Sequence, residues 1–164
     1  MKTYNIEHNA FCDRVILVTG ANSGLGKQAA LSFAKYGAKV ILLGRKLSSL
    51  KLVENEIKDL GYTKASTLLL DLQNANKQDY KNAAETILKQ YSRLDGLLHN
   101  AGTLGEVIAF EDINEIIFDE VLKINIKAPV LLTQNLLPLL KKSKNARIIF
   151  TSSTVGHQGR ALWG

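Results

Sequence analysis

Five apolar runs rich in branched residues, each followed by a stretch of helical period or a polar loop, leave this chain few folds to adopt. The runs are RVILVTG (14–20), KVILLG (39–44), STLLLD (66–71), GLLHNAG (96–102) and ARIIFTSS (146–153). They are continuous rather than alternating in polarity, the pattern of strands buried on both faces of a parallel sheet. Four helical segments fall between them. The first is expected over about 23–36, with Leu25, Ala29 and Phe33 on one face and Gly37 as a left-handed cap. The second carries Leu50, Val53, Ile57 and Leu60 and ends at Gly61. The third, over about 75–92, carries Tyr80, Ala84, Ile87 and Tyr91. The fourth is expected as one long helix over about 114–142, with a stripe of Ile117, Val121, Ile124, Ala128, Leu131, Leu132, Leu136 and Leu139. Strand–helix alternation of this kind implies right-handed crossovers and a Rossmann-type doubly wound α/β sheet with helices on both faces. No repeat, low-complexity tract or linker interrupts it, so residues 1–164 read as a single domain able to bury its own core.

The first run passes into TGANSGLGK (19–27) and then directly into a helix. Gly20, Gly24 and Gly26 are spaced G-x-x-x-G-x-G. Glycines there permit a sharp turn and let backbone N–H groups approach a pyrophosphate at the helix N-terminus. A cation in the first helical turn is disfavoured by the dipole unless an anion lies nearby, so Lys27 adds weight to a phosphate ligand. The same glycines also suit a tight strand–helix turn with no ligand.

In dinucleotide sites an acid at the end of the second strand holds the ribose 2′-hydroxyl. Here that strand ends in Gly44, Arg45 and Lys46. No carboxylate stands there to repel a 2′-phosphate, and Arg45 can pair with one bidentately. NADP(H) is therefore expected over NAD(H).

Other classes find little support. The formal charge is +6, but the basic residues are dispersed, and the tight cluster KKSKNAR (141–147) reads as a solvated cap at a helix C-terminus rather than a nucleic-acid surface. No apolar run is long enough to cross a bilayer, and MKTYNIEHNAFCDR has no secretory h-region. A lone cysteine, Cys12, fits an inert thiol in a reducing cytoplasm. His8, His99 and His157 lack ligand spacing, so no metal is expected.

TGANSGLG at 19–26, Asp71 after the third run, HNAG at 99–102, Asn125 in the long helix and the serines after the fifth run together resemble the short-chain dehydrogenase/reductase family, in its order and spacing over the whole chain. GRK, RLDGLLHNAG, LLTQNLLPLL and TSSTVGHQGRALWG are most similar to the bacterial YciK-type oxidoreductases within it. The resemblance implies strand order 3-2-1-4-5 and hydride transfer between NADP(H) and a small carbonyl or alcohol substrate. It implies that Gly20, Asn22, Ser23, Gly24 and Gly26 cradle the pyrophosphate and that Asp71 contacts the adenine, with Leu25, Arg45 and Leu72 as further cofactor contacts. Asn100, Ala101 and Gly102 would wall the cofactor ribose, and His99, where the family usually has asparagine, reads as a packed core residue. Asn125 and Ser153 match the family's catalytic Asn and Ser, with Ser152 the structural neighbour. Pro129, lacking an N–H, also removes the helical donor of the Asn125 carbonyl and predicts a kink there. A homo-oligomer through the helix over 114–142 is implied as well.

The family's chemistry uses a Tyr-x-x-x-Lys pair, in which the lysine lowers the tyrosine pKa. Four residues beyond Tyr4, Tyr36, Tyr62, Tyr80 and Tyr91 stand His8, Val40, Ser66, Ala84 and Asp95, none a lysine. By the family's spacing the tyrosine would fall just past Gly164. The 164-residue chain is therefore expected to be an N-terminal part of such an enzyme, incomplete on its C-terminal side, inactive or nearly so alone, and a weak NADPH binder. Its fifth strand should be an open sheet edge and the stripe of its long helix exposed. The alternative is a non-catalytic nucleotide-binding or dimerising module, or an inactive truncated gene product.

Overall fold

The computed structural model describes residues 7–162. Tyr4, the start of the segment read for a secretory signal, and residues 163–164 lie outside them. The strands are β1 (Val15–Thr19), β2 (Lys39–Gly44), β3 (Ser66–Leu69), β4 (Gly96–His99) and β5 (Arg147–Phe150). The helices are α1 (Gly24–Lys35), α2 (Leu47–Asp59), α3 (Lys77–Gln90), α4 (Glu115–Leu122) and α5 (Ala128–Leu140). All pairings are parallel and the order is β3-β2-β1-β4-β5, as expected.

Successive residues of a strand point to opposite faces, so β1 feeds two cores. Val15 and Leu17 pack with Tyr80 and Ile87 of α3 and with Leu132 and Leu136 of α5. Ile16 and Val18 pack with Ala30 and Ala34 of α1 and with Leu50, Val53 and Ile57 of α2. Both faces of β1 and β2 are thereby apolar, which is why their sequences do not alternate. Each fully buried Leu, Ile or Val contributes roughly 1.5–3 kcal/mol.

The edge strands depart from that reading. Every residue of β5 is exposed, and in β3 only Leu68 is buried. The fifth run is apolar yet largely uncovered, although Phe150 stacks on His99, and among the described residues β5 is an edge of the sheet, as expected.

The helices differ from expectation in register. On α1 the buried residues are Gly26, Ala30, Leu31 and Ala34, whereas Leu25 is 74% exposed. Small residues on that face let the helix approach the sheet closely, and bulkier Phe33 sits to one side, edge-on to Phe11. α3 starts on a reciprocal cap. The Asn76 side chain accepts from Gln78 and Asp79 N–H, and Asp79 accepts in return from Asn76 N–H. The segment expected as one helix is interrupted by a π turn over Lys123–Lys127, in which the Ala128 N–H donates to the Lys123 carbonyl. Pro129 follows in the first turn of α5. The predicted kink is thus a wide turn centred on Asn125. The expected exposure of the stripe fails in its C-terminal half, because Ala128, Leu132, Leu136 and Leu139 are buried. Ile116, Phe118, Leu122, Ile126, Val130 and Leu137 are the large apolar residues of this segment that are exposed.

At the N-terminal ends of the strands, Asp95 ties three entries together. One carboxylate oxygen accepts from Val15 N–H at 2.9 Å and the other from the Ser143 hydroxyl at 2.6 Å, while Arg93 Nε lies 2.9 and 3.1 Å from the pair. Burial opposes the charge on this 7%-exposed residue, but Ser143, Val15 and Arg93 outweigh it and hold the carboxyl below its usual range. Removing it leaves a buried Val15 donor unmatched, whereas Arg93 is open enough to be rehydrated. Asp95→Ala should therefore cost about 1–3 kcal/mol at neutral pH. Because the folded carboxyl is the more acidic, this stabilisation is complete above the ordinary carboxylate range and is lost as pH falls through the depressed value. Urea midpoints of wild type and variant should differ at pH 7 and converge in strong acid. A gap unchanged by acid would contradict the assignment.

Candidate dinucleotide-binding site

A cavity of about 660 Å³ opens at the C-terminal ends of the strands. It lies where β1 is flanked by β2 and β4, the point at which the strand order reverses direction and open α/β sheets bind ligands.

The floor is set by Thr19, fully buried at the end of β1. Its hydroxyl accepts from the N–H groups of Asn100 and Ala101, both at 3.0 Å, and Asn100 Nδ2 donates back to the Thr19 carbonyl at 3.3 Å. These bonds bring the glycine turn and the segment after β4 side by side. The chain then turns at Gly20, whose φ of +64° favours glycine and where a methyl would press on the Ala101 backbone at 2.9 Å. α1 begins just beyond. Its N-cap Ser23 makes no side-chain capping bond, and no acidic residue lies in the first turn. The positive end of the helix is left without an internal counter-charge beside the cavity.

Of the twelve candidate cofactor residues, eleven line this cavity: Gly20, Asn22, Ser23, Gly24 and Leu25 from the turn, Arg45 after β2, Asp71 and Leu72 after β3, and Asn100, Ala101 and Gly102 after β4. Leu25 is exposed because it faces the cavity rather than the sheet. Asp71 is fixed by accepting from the Gln73 N–H at 3.1 Å and from Asn74 Nδ2 at 2.7 Å. Gly26 is absent from the lining. A methyl there would overlap the Gly20 carbonyl oxygen and lie 2.5 Å from Asn100 Nδ2, so this glycine sets the helix-to-turn approach.

Lys27 does not support the phosphate reading in the way expected. Its ammonium pairs with Glu56 of α2 at 2.7 Å, so its anion is intramolecular. Asn125 and Ser153 are likewise outside the lining. Asn125 clamps the segment after β4, its Oδ1 accepting from Thr103 N–H at 2.9 Å and its Nδ2 donating to the Thr103 carbonyl at 2.8 Å. Ser153 is exposed after β5 and precedes a short 3₁₀ turn over Thr154–Gly156, its carbonyl accepting from the Gly156 N–H at 3.1 Å while its side chain makes no capping bond. Thr151 reaches the cavity instead, its N–H extending the ladder to the His99 carbonyl at 2.8 Å.

His99 is 4% exposed, hydrogen-bonded through Nε2 to the Thr133 hydroxyl at 2.8 Å and stacked on Phe150. Burial lowers its pKa to about 4, so the ring is neutral and packed, as its position implies. Tyr80 is buried and its phenol raised by burial and by Asp79, while the Tyr91 hydroxyl meets Ser66 at 3.1 Å. Both tyrosines serve the core.

Sequence reasoning did not place Leu43, Gly44, Leu70, Gln73, Thr103, Glu120, Ile124 and Thr151 among the lining residues. Thr103 and Thr151 could have been found, since each directly follows a strand-end segment already singled out. Glu120 and Ile124 come from the helix across the cavity and carry no local signal. No His/Cys/Asp/Glu group suited to a metal occurs among the described residues, and no helix among them is long and apolar enough to cross a membrane.

The model of the family described as short chain dehydrogenase matches residues 14–164. The "Uncharacterized oxidoreductase YciK" of Escherichia coli strain K12 is 44% identical over 161 residues, covering 98% of this chain and 64% of that protein. A short chain dehydrogenase structure from Pseudomonas syringae superposes with a TM-score of 0.96 at 44% identity, over all of this chain and 66% of that one. Another, from Shigella flexneri and complexed with NADP, gives 0.93 at 45% identity, over 96% of this chain and 66% of that one. The chain thus spans somewhat under two thirds of the length of these relatives. With the sheet order, the glycine turn at its switch point and likeness of this extent, the chain belongs to the short-chain dehydrogenase family.

Proposed function

We propose that this chain is the NADP(H)-binding part of an oxidoreductase that interconverts a small carbonyl compound and its alcohol. The observation that carries the cofactor choice is the acid-free end of β2, where Arg45 borders the cavity. The uncapped N-terminus of α1 suits the pyrophosphate, and Asp71, on the same cavity, is the residue that the family resemblance sets against the adenine. NADP, when bound, supplies the hydride acceptor, and NADPH the donor. The chain's own groups bind and orient. Arg45 holds the 2′-phosphate, Gly20, Asn22, Ser23 and Gly24 offer donors to the diphosphate, and Asn100 to Gly102 wall the ribose. Asn125 keeps that wall in place through the Thr103 peptide, and Ser153, from the segment after β5, holds the substrate oxygen. The family match supports the oxidoreductase reading, and the NADP complex from Shigella flexneri and an NADPH complex from Escherichia coli CFT073 support the cofactor. A cytoplasmic setting fits the single unpaired cysteine.

The test compares cofactors by titration against thermal unfolding. NADPH should protect at concentrations at least about tenfold below NADH, as one charge-assisted pair implies. Arg45→Glu should remove that preference while leaving the unliganded melting temperature unchanged. Equal protection by both cofactors, or none by NADPH at millimolar concentration, would contradict the reading.

A second reading, a dimerising module, is favoured by one observation. Phe118, Leu122, Ile126 and Val130 recur every four residues and are all exposed, close to one helix face. A homo-oligomer through this helix should sediment as a dimer, and Ile126→Glu should return it to monomer.

A further inference from the structure

A second cavity, of about 440 Å³, lies at the opposite end of the sheet from the dinucleotide cavity, under the N-terminal entries of β1, β4 and β5. Four cations line it: Arg14 before β1, Arg93 before β4, and Lys142 and Lys144 before β5. Its one acid is Asp95. A carboxylate offers about four acceptor sites. Those of Asp95 are already taken by Val15 N–H, the Ser143 hydroxyl and two contacts from Arg93. Asp95 thus neutralises Arg93 and has nothing left for the other three. Arg14, Lys142 and Lys144 make no ion pair among the described residues.

The end of α5 explains only part of this. The terminal carbonyls of Leu137, Leu139 and Leu140 are met by the N–H groups of Lys141, Lys142 and Ser143, so the lysine side chains are not needed as caps. Three cations without an ion-pair partner, one from the entry of β1 and two from that of β5, share this concave surface, and their like charges add to one positive field. An anion is the ligand that field attracts. The cavity is open to solvent, and its volume is that of a small-ligand pocket.

We infer that this cavity is a second binding site, independent of the dinucleotide site, for a small molecule carrying two or more negative charges on phosphate or carboxylate groups. Arg14, Lys142 and Lys144 supply the charge, and Asp95 holds Arg93 and the Ser143 loop in place around them.

The experiment is an amide NMR titration of the 164-residue chain at low salt with inorganic pyrophosphate and, separately, citrate. Saturable shifts are expected at Arg14, Arg93 and residues 142–145 with at least one probe. Lys142→Glu/Lys144→Glu should weaken that binding by about tenfold or more, since two charge-assisted contacts become repulsions, without altering pyrophosphate-induced shifts at Ser23 and Gly24. Lys144→Glu alone should give a smaller loss in the same direction, which guards against a double variant that folds poorly. Shifts confined to residues 20–26, binding unaffected by either variant, or no shifts at all would overturn the inference. So would a short DNA duplex that perturbs this surface with steep salt dependence while both small probes leave it unmoved.

Discussion

Gly26→Ala should destabilise the chain by at least the upper end of the roughly 1–3 kcal/mol typical of overpacking and abolish NADPH protection. The added methyl would overlap the Gly20 carbonyl oxygen and press on Asn100 Nδ2, and the oxygen belongs to backbone that cannot rotate away. α1 would have to back off from the turn, and the turn is held to β4 through Thr19. One methyl therefore disturbs the helix, the cavity floor and the wall at once. Gly24→Ala is the control. Its methyl would meet nothing within 4 Å, so it pays only for a left-handed backbone with φ of +53°, about 1–2 kcal/mol. Chemical denaturation should rank Gly26→Ala as clearly the worse of the two. Equal losses would mean that the close approach at Gly26 costs no more than the left-handed backbone at Gly24, and would contradict the ranking.

Acidification should weaken the fold well above the pH at which carboxylates protonate. His99 is neutral in the native state because burial lowers its pKa to about 4, whereas an unfolded histidine titrates near 6.5. Between those values the unfolded chain binds the extra proton, so stability rises with pH across the window and falls on acidification. The contribution is complete above about pH 6.5 and has gone by about pH 4, a change of about 3 kcal/mol. His99→Asn should flatten the slope of unfolding free energy against pH in that interval, whatever it does to stability at neutral pH. A His99 ring resonance in the folded protein titrating near 6.5 would refute the expectation. Thr133 and Phe150 face the ring, and neither can accept a proton in its place.

What could be read from the sequence was what local chemistry enforces. Five apolar runs gave five strands, and the glycine spacing located the turn on which α1 starts. Arg45, Asp71 and the segment from Asn100 to Gly102 all reach one cavity because each directly follows a strand in a parallel sheet. What escaped depended on through-space partners. The charge of Lys27 is answered by Glu56, almost thirty positions away, so its place in the first turn said nothing about phosphate. Leu25 and Ala30 are both plausible inward residues of α1, and only the tight approach at Gly26 decides between them. The edge place of β5 was expected, but its apolar run reads like that of a buried strand and gave no sign that all four of its residues are exposed. Asn125 was singled out for its carbonyl, whereas its side chain grips the Thr103 peptide twenty-two residues back.

The strand order also sets a timetable for folding. β1, β2 and β3 are neighbours in sequence and in space, so this half can assemble through short crossovers as soon as it is synthesised. The other flank of β1 must wait for β4, and the bond from Val15 to Asp95 closes a separation of 80 residues. Long-range parallel pairing is slow because the loop entropy is lost before the contacts form. Leu97→Ala, in β4, should accordingly slow refolding in stopped-flow experiments, whereas Leu136→Ala, on a helix that docks afterwards, should mainly speed unfolding. Equal effects on both rates at both positions would argue for a single concerted collapse. Until β4 arrives, β1 is a bare edge in a half-built sheet, and the nascent chain has its highest exposure to mispairing there, well before any cofactor can bind.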